Sequence, residues 1–203
     1  MTFKTEQEAF WAGEFGDDYI ARNTSRRLLP TKTAMWAQIL RAAHSIGSAT
    51  ELGCNIGVNL QALHDLNSDL QLAGVEINEA AAAKARSLGL AEITQGSILE
   101  SVTLSPADLT FTAGVLIHID PESLPMVYDN LVKLSRRYVV VCEYYNPFPV
   151  AIPYRGHQNR LFKRDFAGDL MDIHGLKLVD YGFIYKRDNW APQDDVTWFL
   201  LEK

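Results

Sequence analysis

The sequence predicts a doubly wound α/β domain: a seven-stranded, mostly parallel sheet with helices on both faces and an antiparallel hairpin at its C-terminal end. Three observations predict it. Short β-rich runs alternate five times with helical periodicities, the order expected of strand–helix crossovers. The first run opens onto a turn with two glycines, Glu51-Leu-Gly53-Cys-Asn55-Ile-Gly57, and a helix follows. Two alternating segments, 176–185 and 195–201, then close the chain as neighbouring strands.

At 203 residues and 47% hydrophobic, the chain reads as one domain able to bury a core. A formal net charge of −6 argues against broad nucleic-acid or membrane-surface binding. No apolar run approaches the roughly 18 residues of a membrane span. The N-terminal residues are too acidic for a leader peptide. Cys54 and Cys142 have no CxxC partner and no histidine at metal spacing, so no metal site is expected. Two free thiols suit a reducing cytoplasm.

Residues 5–22 carry Phe10, Trp11, Phe15, Tyr19 and Ile20 in helical spacing, interrupted by Gly13 and Gly16. Two readings are open: a helix packed on the core, or a jointed lid over a ligand, spanning 1–30, whose aromatics exclude water. A helix over 31–43, capped by Thr31, precedes the strand 49–52. After the glycine turn, 58–66 is helical with Leu60, Leu63 and Leu66 inside. The second strand runs to Ile77 and is followed by an alanine-rich helix over 78–88. Short strands at 91–95 and 108–112 end at Gly96-Ser97-Ile98 and Ala113-Gly114. Asp120-Pro121 starts the next helix, with proline at its first position. Residues 138–142 are nearly all β-branched, as a central parallel strand requires. Residues 144–165 hold three prolines and several aromatics, and read as a long ordered loop inserted for function. A helix over 163–173 leads into the final two strands.

Ligands of such sheets lie beyond the carboxyl ends of the strands. Gly53, Glu76, Ser97, Gly114 and Glu143 all fall at or near those ends. A turn without Cβ atoms lets a ligand approach the main chain, and the helix start beside it offers unpaired N–H groups. Glu76 stands about 20 residues past the turn, where a carboxylate meets two vicinal ribose hydroxyls; the alternative is a helix-capping role. A dinucleotide fingerprint needs glycine where Asn55 stands and a third glycine that is missing. The lysine of a P-loop is absent as well.

The turn resembles the first motif of class I S-adenosylmethionine-dependent methyltransferases. Glu76, Gly96-Ser97-Ile98 and the stretch from Asp108 to Ile119 match further motifs of that family, which ends in the same kind of hairpin. The resemblance implies a Rossmann-like fold and S-adenosylmethionine as cofactor. It implies that Glu51, Gly53, Asn55, Gly57, Glu76, Ile77, Gly96, Ser97, Ile98 and Gly114 bind that cofactor. Two departures stand out. Asn55 replaces a glycine, which is tolerable because Asn enters the left-handed region more readily than other side chains. Ser97 stands where an Asp is commoner. A narrower resemblance, through residues 10–23, Glu143-Tyr144-Tyr145-Asn146-Pro147, Ile152-Pro-Tyr-Arg-Gly-His157 and Asp194 to Trp198, is to methyltransferases associated with pseudaminic acid biosynthesis. It implies a nonulosonic-acid or sugar-nucleotide acceptor.

Methyl transfer is an in-line displacement, so the protein aligns reactants and excludes water. A hydroxyl nucleophile needs a base; an amine needs only to stay neutral. His118, titrating near neutrality at the mouth of the fourth strand, is a candidate base, or else a histidine that packs on the next helix. Glu143 ends an apolar strand, where a carboxylate is costly without a task. Tyr144 and Tyr145 stand beside it, Tyr145 in reach of the chemistry and Tyr144 of the substrate. Tyr154, Arg155, His157 and Arg160, followed by Lys163 and Arg164, form a basic stretch that either binds an anionic acceptor or is a solvated loop. Tyr19 and Arg22 belong to the lid, with Arg22 reaching the cofactor carboxylate. The acceptor is expected to be a small anionic molecule rather than nucleic acid. A non-catalytic cofactor-binding module, or another small-molecule or protein acceptor, is the alternative.

Overall fold

A computed structural model describes residues 2–22 and 28–203, with the side chains of Ala21 and Arg22 outside that description. In chain order it holds α1 (Glu6–Ala12), α2 (Glu14–Arg22), α3 (Leu28–Ile39), β1 (Ser48–Leu52), α4 (Val58–Leu66), β2 (Gln71–Glu76), α5 (Glu79–Ser87), β3 (Glu92–Gln95) and β4 (Ala107–Ala113). Two 3-10 turns lead into α6 (Leu124–Leu134), then β5 (Ser135–Glu143), β6 (Val150–Tyr154), β7 (His157–Lys163), α7 (Phe166–His174), β8 (Lys177–Ile184) and β9 (Val196–Glu202).

Seven strands form one sheet in the order β3-β2-β1-β4-β5-β9-β8. The first five are parallel, and β9 runs antiparallel to both β5 and β8. The strand order reverses between β1 and β4, so the crossovers leave toward opposite faces and a crevice opens between them at the carboxyl ends. The two faces are visible in β5. Tyr138, Val140 and Cys142 pack with Trp36, Ile39, Leu60 and Leu63 of α3 and α4 and with Ala82 and Ala85 of α5. Val139 and Val141 pack on the other side with Val127, Leu131 and Leu134 of α6 and Phe166 and Leu170 of α7. Burial on both faces explains why this strand reads as one unbroken apolar run.

The N-terminal segment is a helix pair. Thr5 caps α1, its hydroxyl accepting the Glu8 N–H at 3.1 Å. Gly13 separates the helices in an extended conformation. Gly16 lets them fold together, because a Cβ there would overlap the Trp11 carbonyl and crowd Asn78.

Three expectations are corrected. The helix placed at 31–43 begins three residues earlier, and the Thr31 hydroxyl donates to the Leu28 carbonyl at 2.9 Å instead of capping. The helix placed at 163–173 starts at Phe166, because Lys163 is still in β7 and Asp165 is the residue whose side chain accepts the Gly168 N–H. The segment 144–165 is not a loop but carries a two-stranded ribbon, β6 paired with β7. Arg155 and Gly156 turn it with φ of 50° and 86°, the pair of positive angles favoured in tight hairpins. Pro153 is accommodated where the register shifts between Ile152 and Tyr154. Proline content suggested a loop; a ribbon of only two strands leaves room for it.

Candidate active site

A cavity of about 500 Å³ lies at the carboxyl ends of β1, β2, β4 and β5, within the size range of small-molecule sites. Trp11 and Tyr19 of the helix pair and Tyr154 and Arg155 of the ribbon also line it.

At the tip of β1, the N–H groups of Gly53 and Cys54 both donate to the Val75 carbonyl, at 2.8 and 3.0 Å. Gly53 has φ of 82°, and a Cβ there would lie 2.6 Å from Val115 Cγ2. Asn55 takes the left-handed conformation, φ 48°, and its N–H donates to Glu76 Oε2 at 2.7 Å. Gly57, also left-handed, is the residue preceding α4, where a Cβ would press on Leu88. It does not line the cavity, so its glycine serves helix packing.

Glu51 is buried. Its Oε1 accepts from Asn59 Nδ2 at 2.6 Å, and Asn59 Oδ1 accepts the Trp36 indole N–H at 3.3 Å. Its Oε2 has no partner among the described residues. Burial, helped by neighbouring Glu76, pushes its pKa up to about 8. Glu76 accepts the Asn78 N–H on Oε1 at 2.8 Å and the Asn55 N–H on Oε2. Burial raises its pKa too. Each oxygen keeps a lone pair for a further donor. Ile77 lines the cavity beside it.

At the tip of β3, Gly96, Ser97 and Ile98 line the cavity. The Ser97 hydroxyl donates to Glu8 Oε1 and accepts the Leu99 N–H at 2.9 Å. At the tip of β4, Gly114 has φ of 73° and leads into Val115 and Leu116, whose N–H groups donate to Glu143 Oε1 at 3.0 and 3.1 Å. Glu143 thus buckles this turn to β5. Its Oε2 has no partner among the described residues, and burial pushes its pKa up to about 7.

His118 lines the cavity but does not titrate near neutrality as expected. It is 8% exposed, among the rings of Trp11 and Tyr154 at 4.5 and 4.9 Å, and desolvation drives its pKa down to about 4. Nδ1 lies 2.6 Å from the Arg160 carbonyl, which can only accept. The neutral ring therefore carries its proton on Nδ1 and presents Nε2 as an acceptor.

The remaining predicted residues divide. Tyr19, Tyr144, Tyr154 and Arg155 line the cavity. Tyr145 is 42% exposed and rests against Phe199, 5.9 Å between centroids, outside the cavity. His157 and Arg160 also lie outside it. His157 packs on Phe10 and Phe15, and the Arg160 guanidinium stands over Phe10 and pairs with Glu6 at 3.2 Å. The basic stretch thus fastens the helix pair, and Arg155 alone of its arginines reaches the cavity. The side chain of Arg22 lies outside the described residues. Gln7, Glu8, Lys32, Asn59 and Asp194 line the cavity without having been predicted. Glu8, Glu51, Glu76, Glu143 and Asp194 face only Lys32 and Arg155 among the described lining residues, with His118 neutral. Five carboxylates against two cations make a site that favours a cationic ligand.

The sequence matches no family model and no curated protein. Solved structures do match. Magnesium protoporphyrin IX methyltransferase ChlM from Synechocystis PCC 6803, with bound S-adenosylhomocysteine, superposes with a TM-score of 0.73 at 13% identity over 99% of this chain and 100% of that one. The chain has the Rossmann-like methyltransferase fold. A S-adenosylmethionine-dependent methyltransferase from Clostridium acetobutylicum ATCC 824 shares it at a TM-score of 0.64 and 11% identity, covering 93% and 97% of the two chains. The glycopeptide N-methyltransferase MtfA, complexed with S-adenosylmethionine, does so at 0.64 and 12%, covering 84% and 92%. The methyltransferase fold accounts for the strand order and the closing antiparallel pair. A porphyrin enzyme and a glycopeptide enzyme share it, so the fold alone does not select an acceptor.

Proposed function

We propose that the protein is a methyltransferase that uses S-adenosylmethionine to methylate a small anionic acceptor. The observation that carries the cofactor assignment is the pairing of Glu51 and Glu76 at the ends of adjacent strands. Glu51 has a buried oxygen without a partner, suited to an ammonium group, and Glu76 has lone pairs suited to two ribose hydroxyls. The net acidity of the cavity agrees with a cofactor that carries an ammonium and a sulfonium. When bound, the cofactor supplies an electrophilic methyl carbon; the residues do the rest.

Trp11, Tyr19 and Tyr154 shield the site from water and hold the acceptor in line. Two groups can take a proton from a hydroxyl acceptor. Glu143, with pKa near 7 and a free Oε2, is well matched to neutral pH. His118, near 4, is a weaker base, and its Nε2 orients the acceptor proton by hydrogen bonding. Arg155, at the tip of the ribbon, is the cation that selects an acceptor carboxylate or phosphate. The resemblance of residues 10–23, 143–147, 152–157 and 194–198 to methyltransferases associated with pseudaminic acid biosynthesis supports a nonulosonic acid or sugar nucleotide as that acceptor.

Calorimetry with S-adenosylhomocysteine tests the reading. Micromolar binding to the natural protein is expected, with a loss of about a hundredfold or more in Glu76→Ala. Wild-type protein that does not bind would overturn the cofactor assignment. A methyl-transfer screen over sialic-acid-like sugars and their nucleotides tests the acceptor, and activity only on uncharged acceptors would refute the anionic class.

A further inference from the structure

We propose that Glu8, carried in by the N-terminal helix pair, recognises the exocyclic amino group of the cofactor's purine. The inference rests on the cofactor assignment above. With the ammonium at β1 and the ribose at β2, the base falls beyond β3, since parallel strands are spaced about 4.8 Å apart. The cavity wall there is Gly96-Ser97-Ile98. An exocyclic amino group offers two N–H donors and requires an acceptor. Ser97 is poorly suited to the task, because its hydroxyl proton is committed to Glu8 and one lone pair to the Leu99 N–H.

Glu8 is the acceptor the serine lacks. It lines the cavity at 6% exposure, and its two oxygens receive one donor each, the Ser97 hydroxyl and the Lys4 N–H at 2.6 Å. The Lys4 ammonium is turned away toward the Leu99 carbonyl and Glu100. A buried carboxylate with so few donors gains from one more. Its placement is fixed from both ends of the helix pair. Asp17 accepts from Asn78 Nδ2 at 2.8 Å beside the ribose carboxylate, the same amide reaches the Trp11 carbonyl, and Gln7 donates to the Asn159 carbonyl on the ribbon. The helix pair is thereby a reader of the base as well as a cover.

The test compares S-adenosylhomocysteine with S-inosylhomocysteine, which has a keto oxygen in place of the amino group, by calorimetry on the full chain. The natural protein should prefer the adenosyl compound by about a hundredfold, because a carboxylate facing a keto oxygen has no proton to share. Glu8→Gln, whose amide can donate to the keto group, should cut that preference at least tenfold. Ser97→Ala, which releases Glu8, should cut it partially. A helix pair that simply detached would weaken both compounds equally, and that result, or an unchanged preference in Glu8→Gln, overturns the proposal. If neither compound binds the natural protein, the cofactor assignment falls first and this inference with it.

Discussion

If Glu51 holds the cofactor ammonium as proposed, cofactor affinity becomes a function of pH, and the size of the effect follows from the burial of Glu51. In the ligand-free protein its pKa is about 8, so the carboxyl is mostly protonated at neutral pH. An ammonium ligand needs the ionised form. The ionised fraction is about 1% at pH 6 and one half at pH 8, so affinity should rise about fiftyfold across that interval, with close to one proton released per ligand at the acid end. The stability sign is opposite. A carboxyl whose pKa is raised on folding favours the folded state at low pH, and that contribution fades as pH climbs from its ordinary value of 4.5 toward 8. The ligand-free protein should therefore melt at lower temperature at pH 8 than at pH 6, and ligand should close the gap. Calorimetry with S-adenosylhomocysteine in two buffers of different ionisation heat counts the protons directly. Glu51→Gln should bind weakly and lose most of the pH dependence, leaving what Glu143, around pH 7, and the raised Glu76 contribute. A dissociation constant flat from pH 6 to 8, or the full dependence of about fiftyfold retained in Glu51→Gln, refutes the reasoning.

Two further outcomes are expected. Gly53→Ala places a Cβ 2.6 Å from Val115 at a φ of 82°, so the turn must shift; about 1–3 kcal/mol of stability should be lost in thermal melts, and S-adenosylhomocysteine binding should fall below detection. Arg155→Ala should raise the acceptor KM about tenfold or more while S-adenosylhomocysteine affinity stays within about twofold, and equal effects on both would remove Arg155 from the acceptor site.

Much of this was legible in the sequence because it depends on local rules. The five parallel strands follow from alternating periodicities, and the proposed cofactor edge follows from where each strand stops. Asn55 in the left-handed region is a local preference of its side chain. What was not legible depends on distant packing. Nothing near Glu8 says that its carboxylate meets Ser97, 89 residues away. His118 looked like a neutral-pH base because its sequence neighbours do not reveal Trp11 and Tyr154 around it. The basic stretch was read by charge alone; the hairpin twist then sent Arg155 to the cavity and His157 and Arg160 to the aromatic helix pair. Asn59 was within reach of local rules, since it stands in the first turn of the helix after Gly57, on the side that faces back to Glu51.

The cavity's electrostatics and its cover solve one problem together. Three desolvated carboxylates, Glu51, Glu76 and Glu143, have their ionised forms disfavoured by burial, and a cationic ligand restores them. Trp11 and Tyr154, which line the same cavity, hold His118 neutral. The helix pair and the ribbon are fastened to each other by Gln7 on Asn159, Glu6 on Arg160 and the Phe10–His157 ring contact. On the proposed reading, the element that covers the cofactor therefore positions the one that covers the acceptor. If Glu8 reads the purine as proposed, the helix pair is best seated when the purine is in place, which favours cofactor binding before acceptor. Such an order keeps the desolvated carboxylates paired before a second, anionic molecule approaches them.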